Sequence, residues 1–107
     1  MGNRNPNAYD PVQIFNSTSF NASGKVEYAS IFCSDDSYSV QRDETWTASS
    51  RGVCLLTRIT ATVKTPSGNI EAIPYTSSGT SFSKFAIIQI GVNQFQVTRV
   101  VSAKRRK

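Results

Sequence analysis

The feature that most constrains the fold is an alternation of apolar and polar side chains between Gly52 and Lys64. The residues at odd positions are mostly apolar: Val53, Leu55, Ile59, Ala61 and Val63. From position 58 the residues at even positions are polar: Arg58, Thr60, Thr62 and Lys64. Side chains of a β-strand point alternately to its two faces, and β-branched residues favour strands. This segment is therefore predicted to be one strand with a single buried face.

Shorter apolar segments recur about every ten residues, separated by Gly, Ser, Asn and Pro. The further predicted strands are 12–16, 25–33, 38–41, 70–75, 82–90 and 94–101, and the predicted turns are 21–24, 65–69, 77–80 and 91–93. Pro74 indicates a strand at a sheet edge, whereas apolar residues on both faces of 82–90 indicate a central strand. No amphipathic helix is evident. The prediction is an all-β fold, a small antiparallel β-sandwich or barrel of about seven strands.

The chain has the length of one domain, at 107 residues. Its first residues are polar and contain Pro6 and Pro11, which predicts an extended N-terminal arm over 1–11. The β-domain is predicted over 12–101, and a basic C-terminal tail over 102–107. No apolar run has the length of a transmembrane segment, and no secretory signal is evident at the start.

Most of the net charge of +5 comes from the tail. Four of the twelve Lys and Arg residues lie there, which leaves eight against seven Asp and Glu residues elsewhere. The four residues are Lys104, Arg105, Arg106 and Lys107. A short basic segment can contact nucleic acid, an anionic membrane or an acidic protein, or serve only solubility.

Two cysteines, Cys33 and Cys54, lie in apolar segments. Both buried thiols and a disulfide are compatible with the sequence, because bridging depends on the distance between the two Cα atoms. A disulfide would indicate export to an oxidising compartment. We expect a soluble protein, and the sequence leaves open whether it is secreted or extracellular.

Catalytic motifs are absent from the sequence. The chain has no histidine, which removes Ser-His-Asp and Cys-His catalysis and histidine-bound metals. No phosphate-binding loop, dinucleotide fingerprint or nucleophile elbow is present. We therefore expect a protein that is not an enzyme and uses no cofactor.

Four carboxylates in two turns are weak candidates for a metal site: Asp35, Asp36, Asp43 and Glu44. Calcium prefers several oxygen ligands from one loop, and a carboxylate pair can also act as acid and base on a glycoside. Their spacing matches no calcium loop closely, and solvated turn residues with local hydrogen bonds are the alternative to both roles.

Two further groups are candidate binding residues. Trp46, and Tyr75 beside the hydroxyls of Ser77 and Ser78, could stack on a sugar, a lipid headgroup or a protein. Trp46 could equally close one end of the core. Arg58 and Lys64 share the polar face of the long strand and could contact an anionic partner or remain solvated.

These observations favour a binding or assembly protein that acts by self-association or by contact with another macromolecule, with 1–11 and 102–107 as contact arms. One alternative is a secreted lectin-like or membrane-surface module, of the toxin or effector type, with Trp46, Tyr75 and the loop at 76–80 as its site. The other is a coat-like protein whose basic tail contacts nucleic acid.

Overall fold

The structure is a computed structural model that describes residues 8–101, and within that range the chain is all β with no helix. It forms ten strands: β1 Gln13–Asn16, β2 Ala22–Tyr28, β3 Asp36–Val40, β4 Thr45–Thr47, β5 Leu56–Ile59, β6 Thr62–Thr65, β7 Gly68–Glu71, β8 Tyr75–Thr80, β9 Lys84–Gly91 and β10 Gln94–Arg99. They build two sheets that pack as a sandwich. The predicted fold class is confirmed, with ten strands instead of about seven.

The first sheet has the strand order β10-β9-β1-β4. Strand β9 pairs antiparallel with β10 and parallel with β1, and β1 pairs antiparallel with β4. As an inner strand, β9 buries three consecutive side chains, Phe85, Ala86 and Ile87. The apolar residues on both faces of this segment thus reflect a central strand, as predicted.

The second sheet is built around β2, which pairs with β3 and also with both β5 and β6. Residues 56–65 therefore run along β2 as one line, interrupted between Ile59 and Thr62. The return segment is interrupted in the same way: β7 pairs with β6, and β8 pairs with β5. These two interrupted lines account for most of the difference between the predicted and observed strand counts.

The core lies between the sheets. Its largest fully buried side chains come from both layers: Phe85, Phe95, Ile14, Leu56, Ile59 and Ile87. The edges of the two sheets are joined at one side, where the amide of Ile73 donates to Phe95 O and the amide of Val97 donates to Ile73 O, both at 2.9 Å. Apolar burial of this extent is the main stabilising term for such a domain.

The alternation between Gly52 and Lys64 changes phase within the segment, contrary to the prediction of one regular strand. Leu56 is fully buried, whereas Leu55 and Val53 are exposed. The pairing of β5 with both β2 and β8 shifts register between Leu56 and Arg58. Such a bulge adds one residue to a strand, so the side chains before it point to the opposite face from the one that their parity predicts.

Three local predictions are also wrong. Residues 22–24 belong to β2, where Gly24 lets the Thr60 backbone approach so closely that a Cβ would overlap Thr60 O. Residues 77–80 belong to β8, where Gly79 has a φ of 141°. Strand β2 ends at Tyr28, so residues 29–33 form a loop and not the predicted strand.

The predicted hairpin turns at 65–69 and 91–93 are confirmed. Gly68, with a φ of 117°, follows the first turn, and Asn93, with a φ of 53°, lies in the second. Glycine and asparagine tolerate this left-handed region at the lowest steric cost, which is why they mark turns in the sequence.

Candidate functional site

Several loops meet at one end of the sandwich, called here the loop end: 29–35, 48–55 and 81–83, with the segment 99–101. Tyr28 at the end of β2 pairs with Leu56 at the start of β5, and Leu56 pairs with Thr80 at the end of β8. In the other sheet, β9 begins at Lys84 and β10 ends at Arg99. The amide of Val100 donates to Lys84 O at 2.8 Å, which joins these two ends.

The loop end carries most of the exposed large apolar side chains among residues 8–101: Ile31, Phe32, Val53, Leu55, Phe82, Val100 and Val101. Ile31 and Phe32 are 93% and 91% exposed, and Val53 is 62% exposed. We call Ile31, Phe32 and Val53 the apolar tip. Large apolar residues exposed singly are common, but a group of them at one end of a small domain indicates an interaction surface.

A disulfide between Cys33 and Cys54, with a Cα–Cα distance of 6.1 Å, connects the two loops that carry the apolar tip. Phe32 and Val53 immediately precede these cysteines. The amide of Ala29 also donates to Leu55 O at 2.8 Å. The sequence left the state of the cysteines open, and the structure has them bonded. The tip is consequently held on a covalently linked pair of loops.

Arg51 is almost fully buried at the loop end and connects its loops through hydrogen bonds. Its side chain donates to three carbonyl oxygens: Cys54 O at 3.0 Å, Phe82 O at 2.8 Å and Thr80 O at 2.7 Å. The guanidinium also lies over the rings of Tyr9 and Tyr28, at 5.5 and 6.0 Å from their centroids. Burial lowers the pKa of Arg51, while the neighbouring Tyr28, Tyr9 and Asp10 act in the opposite direction.

Tyr28 and Asp36 form a polar pair beside the disulfide. The Tyr28 hydroxyl donates to Asp36 Oδ2 at 2.7 Å. Burial, with this hydrogen bond to a carboxylate, raises the pKa of Tyr28 well above its ordinary value. Tyr28 and Asp36 line a cavity of about 270 Å³ together with Phe32, both cysteines and Arg51.

A second tyrosine with a raised pKa, Tyr38, lies inside the core. The Tyr38 hydroxyl donates to Thr60 O at 2.6 Å, and burial raises the pKa of Tyr38. The folded state therefore keeps a proton that the unfolded chain loses above about pH 10. We expect the free energy of unfolding to fall as the pH rises above that value, by up to about 1.4 kcal/mol per pH unit for Tyr38.

Denaturant unfolding of the wild type and of Tyr38→Phe, measured from about pH 8 to about pH 11, checks this prediction. The variant lacks this phenol, so its stability should depend less steeply on pH above about 10. Parallel curves for the two proteins would contradict it.

A groove of about 430 Å³ lies at the loop end, beside the end of β10. It is lined by Ser81, Phe82, Ser83, Lys84, Arg99, Val100 and Val101. The Arg99 guanidinium lies 3.3 Å above the Phe82 ring centroid. This pairing places a cation beside apolar surface at the same end as the apolar tip.

The aromatic residues proposed from sequence are separated by the fold. Trp46 lies on β4, at the edge of the first sheet, and its ring packs on Tyr38 at 5.4 Å between centroids. Tyr75 lies on β8, in the second sheet, and packs on Phe85 at 4.8 Å. Both are half-buried against the core, so at least part of each ring is used in packing.

The two serines proposed with Tyr75 lie in β8 and not in a loop. The Ser77 hydroxyl donates to Leu56 O at 2.8 Å and accepts from the Gly79 amide at 3.0 Å. Ser78 is exposed. Ser77 therefore holds the irregular part of β8 in place.

Arg58 and Lys64 lie on the solvent-facing side of the second sheet, as predicted, but among acidic residues. Arg58 is directly opposite Glu27 on β2, and Glu71 accepts a hydrogen bond from Thr62, between the two cations in sequence. The face has mixed charge, which gives an anionic partner no uniform field.

The four carboxylates lie at the two ends of β3. Asp36 begins the strand, and Asp43, with a φ of 61°, follows its end together with Glu44. Among residues 8–101 no group of three potential metal-ligating side chains is found. The tail residues Lys104, Arg105, Arg106 and Lys107, and residues 1–7 of the predicted arm, lie outside the described residues.

Sequence reasoning did not find Ile31, Phe32, Arg51 or the Arg99–Phe82 pair. The adjacent Ile31 and Phe32 resemble strand residues in sequence, and only the end of β2 at Tyr28 exposes them. The signal available for Arg51 was one cation between Ser50 and Gly52, which is ordinary for a loop.

No helix able to cross a membrane is present among residues 8–101. Comparison of the chain with family models, with curated proteins and with solved structures finds no match.

Proposed function

We propose that this protein is a non-enzymatic binding module that attaches to the surface of a lipid bilayer through its loop end. The observation that carries the proposal is the exposure of Ile31 and Phe32, at 93% and 91%, on a loop fixed by the Cys33–Cys54 disulfide. Apolar side chains that are almost wholly exposed gain free energy by entering an apolar medium such as the acyl region of a bilayer.

The free energy available from the tip suits reversible attachment. Fully burying an Ile or Phe side chain contributes about 1.5–3 kcal/mol, so the two together contribute about 3–6 kcal/mol. A single myristoyl chain binds bilayers with an association constant of about 10⁴ M⁻¹, which is of the same order. The disulfide and Arg51 hold the two loops before binding, which reduces the entropy lost on insertion.

Basic residues at the same end favour anionic lipids. Lys84 and Arg99 are exposed there. Each basic residue close to an anionic surface contributes about 1 kcal/mol, so these two cations would strengthen attachment to anionic lipids.

A bilayer explains the loop end better than nucleic acid does. The phosphates of a nucleic acid would pair with the cations of the loop end. A nucleic acid offers no apolar region, however, in which the Ile31 and Val53 side chains could be buried. Proteins that bind single strands stack several aromatic rings on successive bases. One face of Phe82 is already covered by Arg99, which leaves Phe32 as the ring that the loop end exposes almost fully. The disulfide further favours action in an oxidising compartment, because the cytosol keeps thiols reduced.

Vesicle flotation of the full chain tests the proposal. We expect binding to phosphatidylcholine vesicles, and tighter, salt-sensitive binding when phosphatidylserine is included. Val92→Ser provides a matched control, since Val92 is 87% exposed in the β9–β10 turn at the opposite end, and this variant should bind like the wild type. Absence of flotation with both lipid mixtures, or binding to an RNA oligonucleotide alone, would overturn the proposal.

A further inference from the structure

We infer that the groove formed by residues 81–84 and 99–101 binds the phosphate group of an anionic ligand, and that a phospholipid headgroup is its source at the bilayer. The lipid source rests on the proposed function, whereas the phosphate chemistry rests on the groove itself. Its volume of about 430 Å³ lies within the range of small-molecule sites.

The lining of the groove is selective for anions. Its lining includes two cationic residues, Lys84 and Arg99, and two serines, Ser81 and Ser83, and no Asp or Glu lines it among the described residues. An arginine binds phosphate through two parallel N–H bonds, and a lysine adds a point charge. Serine hydroxyls can donate to the remaining oxygens.

Arg99 is oriented before any ligand binds. Its guanidinium stacks 3.3 Å above the centroid of the Phe82 ring. Stacking uses the flat face of the guanidinium, so the N–H groups at its edge remain available to a ligand. A cation fixed in this way loses less side-chain entropy on binding than a free one.

The backbone on both sides of the groove is also fixed. Phe82 O accepts from Arg51 Nη1 at 2.8 Å, and the Phe82 amide donates to Thr80 Oγ1 at 3.0 Å. The Val100 amide donates to Lys84 O at 2.8 Å, which joins the two walls. Lys84 and Arg99 therefore lie on segments that hydrogen bonds hold in place. Arg51 connects one of these segments to the loop 48–55, which carries Val53 of the apolar tip.

The position of the groove suits a headgroup. It lies at the loop end with the apolar tip, and its own lining includes Val100 and Val101, which are exposed apolar residues. When the tip enters the apolar region, the charges of the groove would meet the phosphate layer. Arg58 and Lys64, on the outer face of the second sheet, carry the same charge, but they neither lie at the loop end nor share a groove with exposed apolar residues.

The test compares Lys84→Gln/Arg99→Gln with the matched pair Arg58→Gln/Lys64→Gln, which removes the same charge. Affinity for vesicles containing phosphatidic acid should fall about fivefold for each groove substitution, and by less than about twofold for the control pair. Binding to pure phosphatidylcholine, whose phosphate is balanced by its own choline, should match the wild type in the control pair and fall less in the groove pair than binding to phosphatidic acid does. Arg99→Lys should recover part of the loss, because it restores the charge but not the planar donor pair.

A second arm uses soluble glycerol phosphate and inorganic phosphate, followed by the NMR signals of the groove residues. Saturable shifts that disappear in the double Gln variant support the inference even if no vesicle binds, in which case only the lipid source and the proposed function fail. Equal losses in the groove and control pairs, or unsaturable shifts, would overturn the inference while leaving binding to phosphatidylcholine intact.

Discussion

Replacing Ile31 and Phe32 together by serine is expected to weaken binding to phosphatidylcholine vesicles by about 100-fold or more. The two side chains would contribute at least about 3 kcal/mol when buried in the bilayer, and each 1.4 kcal/mol corresponds to a factor of ten. The folded state should lose little, because both side chains are more than 90% exposed and surface substitutions usually change stability by less than about 0.5 kcal/mol.

Flotation isotherms and thermal unfolding of the same preparations measure the two effects separately. Ile90→Ser/Val92→Ser is the matched control, since it removes two exposed apolar side chains near the β9–β10 turn, away from the loop end. Its vesicle affinity should stay within about threefold of the wild type. Equal affinities for the tip variant and the wild type would remove the apolar tip from the binding surface.

Replacing Arg51 by methionine is expected to lower the free energy of unfolding by about 3–5 kcal/mol. The substitution keeps an unbranched apolar stem but leaves three carbonyl oxygens without their donor, those of Cys54, Phe82 and Thr80. A hydrogen bond to a charged group contributes about 1.5–3 kcal/mol, and partial access to water reduces the summed loss. The contacts with Tyr9 and Tyr28 disappear as well.

Urea unfolding of both proteins gives the difference in stability, and limited proteolysis at the loops 48–55 and 81–83 shows whether the loop end opens. Arg42→Met is the control, because Arg42 is an exposed cation in the loop between β3 and β4. It should change stability by less than about 0.5 kcal/mol. A similarly small change for the Arg51 variant would mean that the disulfide and backbone pairing alone hold these loops.

The fold class was predictable because the strand signal is local. Segments such as 94–99 alternate Phe95 and Val97, which are buried, with Gln94 and Gln96, which are less so. The hairpins at 66–67 and 92–93 follow from Gly68 and Asn93, which need no tertiary context to favour a turn. The phase of the longest pattern was not predictable, since the bulge near Thr57 depends on pairing with β2 and β8.

The residues of the candidate site were not predicted from the sequence. A recognition role at a membrane surface was among the alternatives and stays a prediction, and the residues chosen for that role, Trp46 and Tyr75, pack on the core. Ser77 looked like part of a turn because Ser-Ser-Gly favours one, and it is instead bonded to the Leu56 carbonyl within β8. Loop contacts between distant segments have no signature in a single sequence.

The sequence by itself determined that the chain forms strands, that tight turns lie within 65–69 and 91–93, and that it supplies no histidine to a site, because each follows from residue types and their immediate spacing. Only the tertiary structure decided that Ile31 and Phe32 are exposed, that Cys33 meets Cys54 and that Arg51 joins loops about 30 residues apart in the chain. The physical reason is that strand pairing is non-local: where β2 ends and which face a side chain takes depend on how β5 pairs with β2 and with β8.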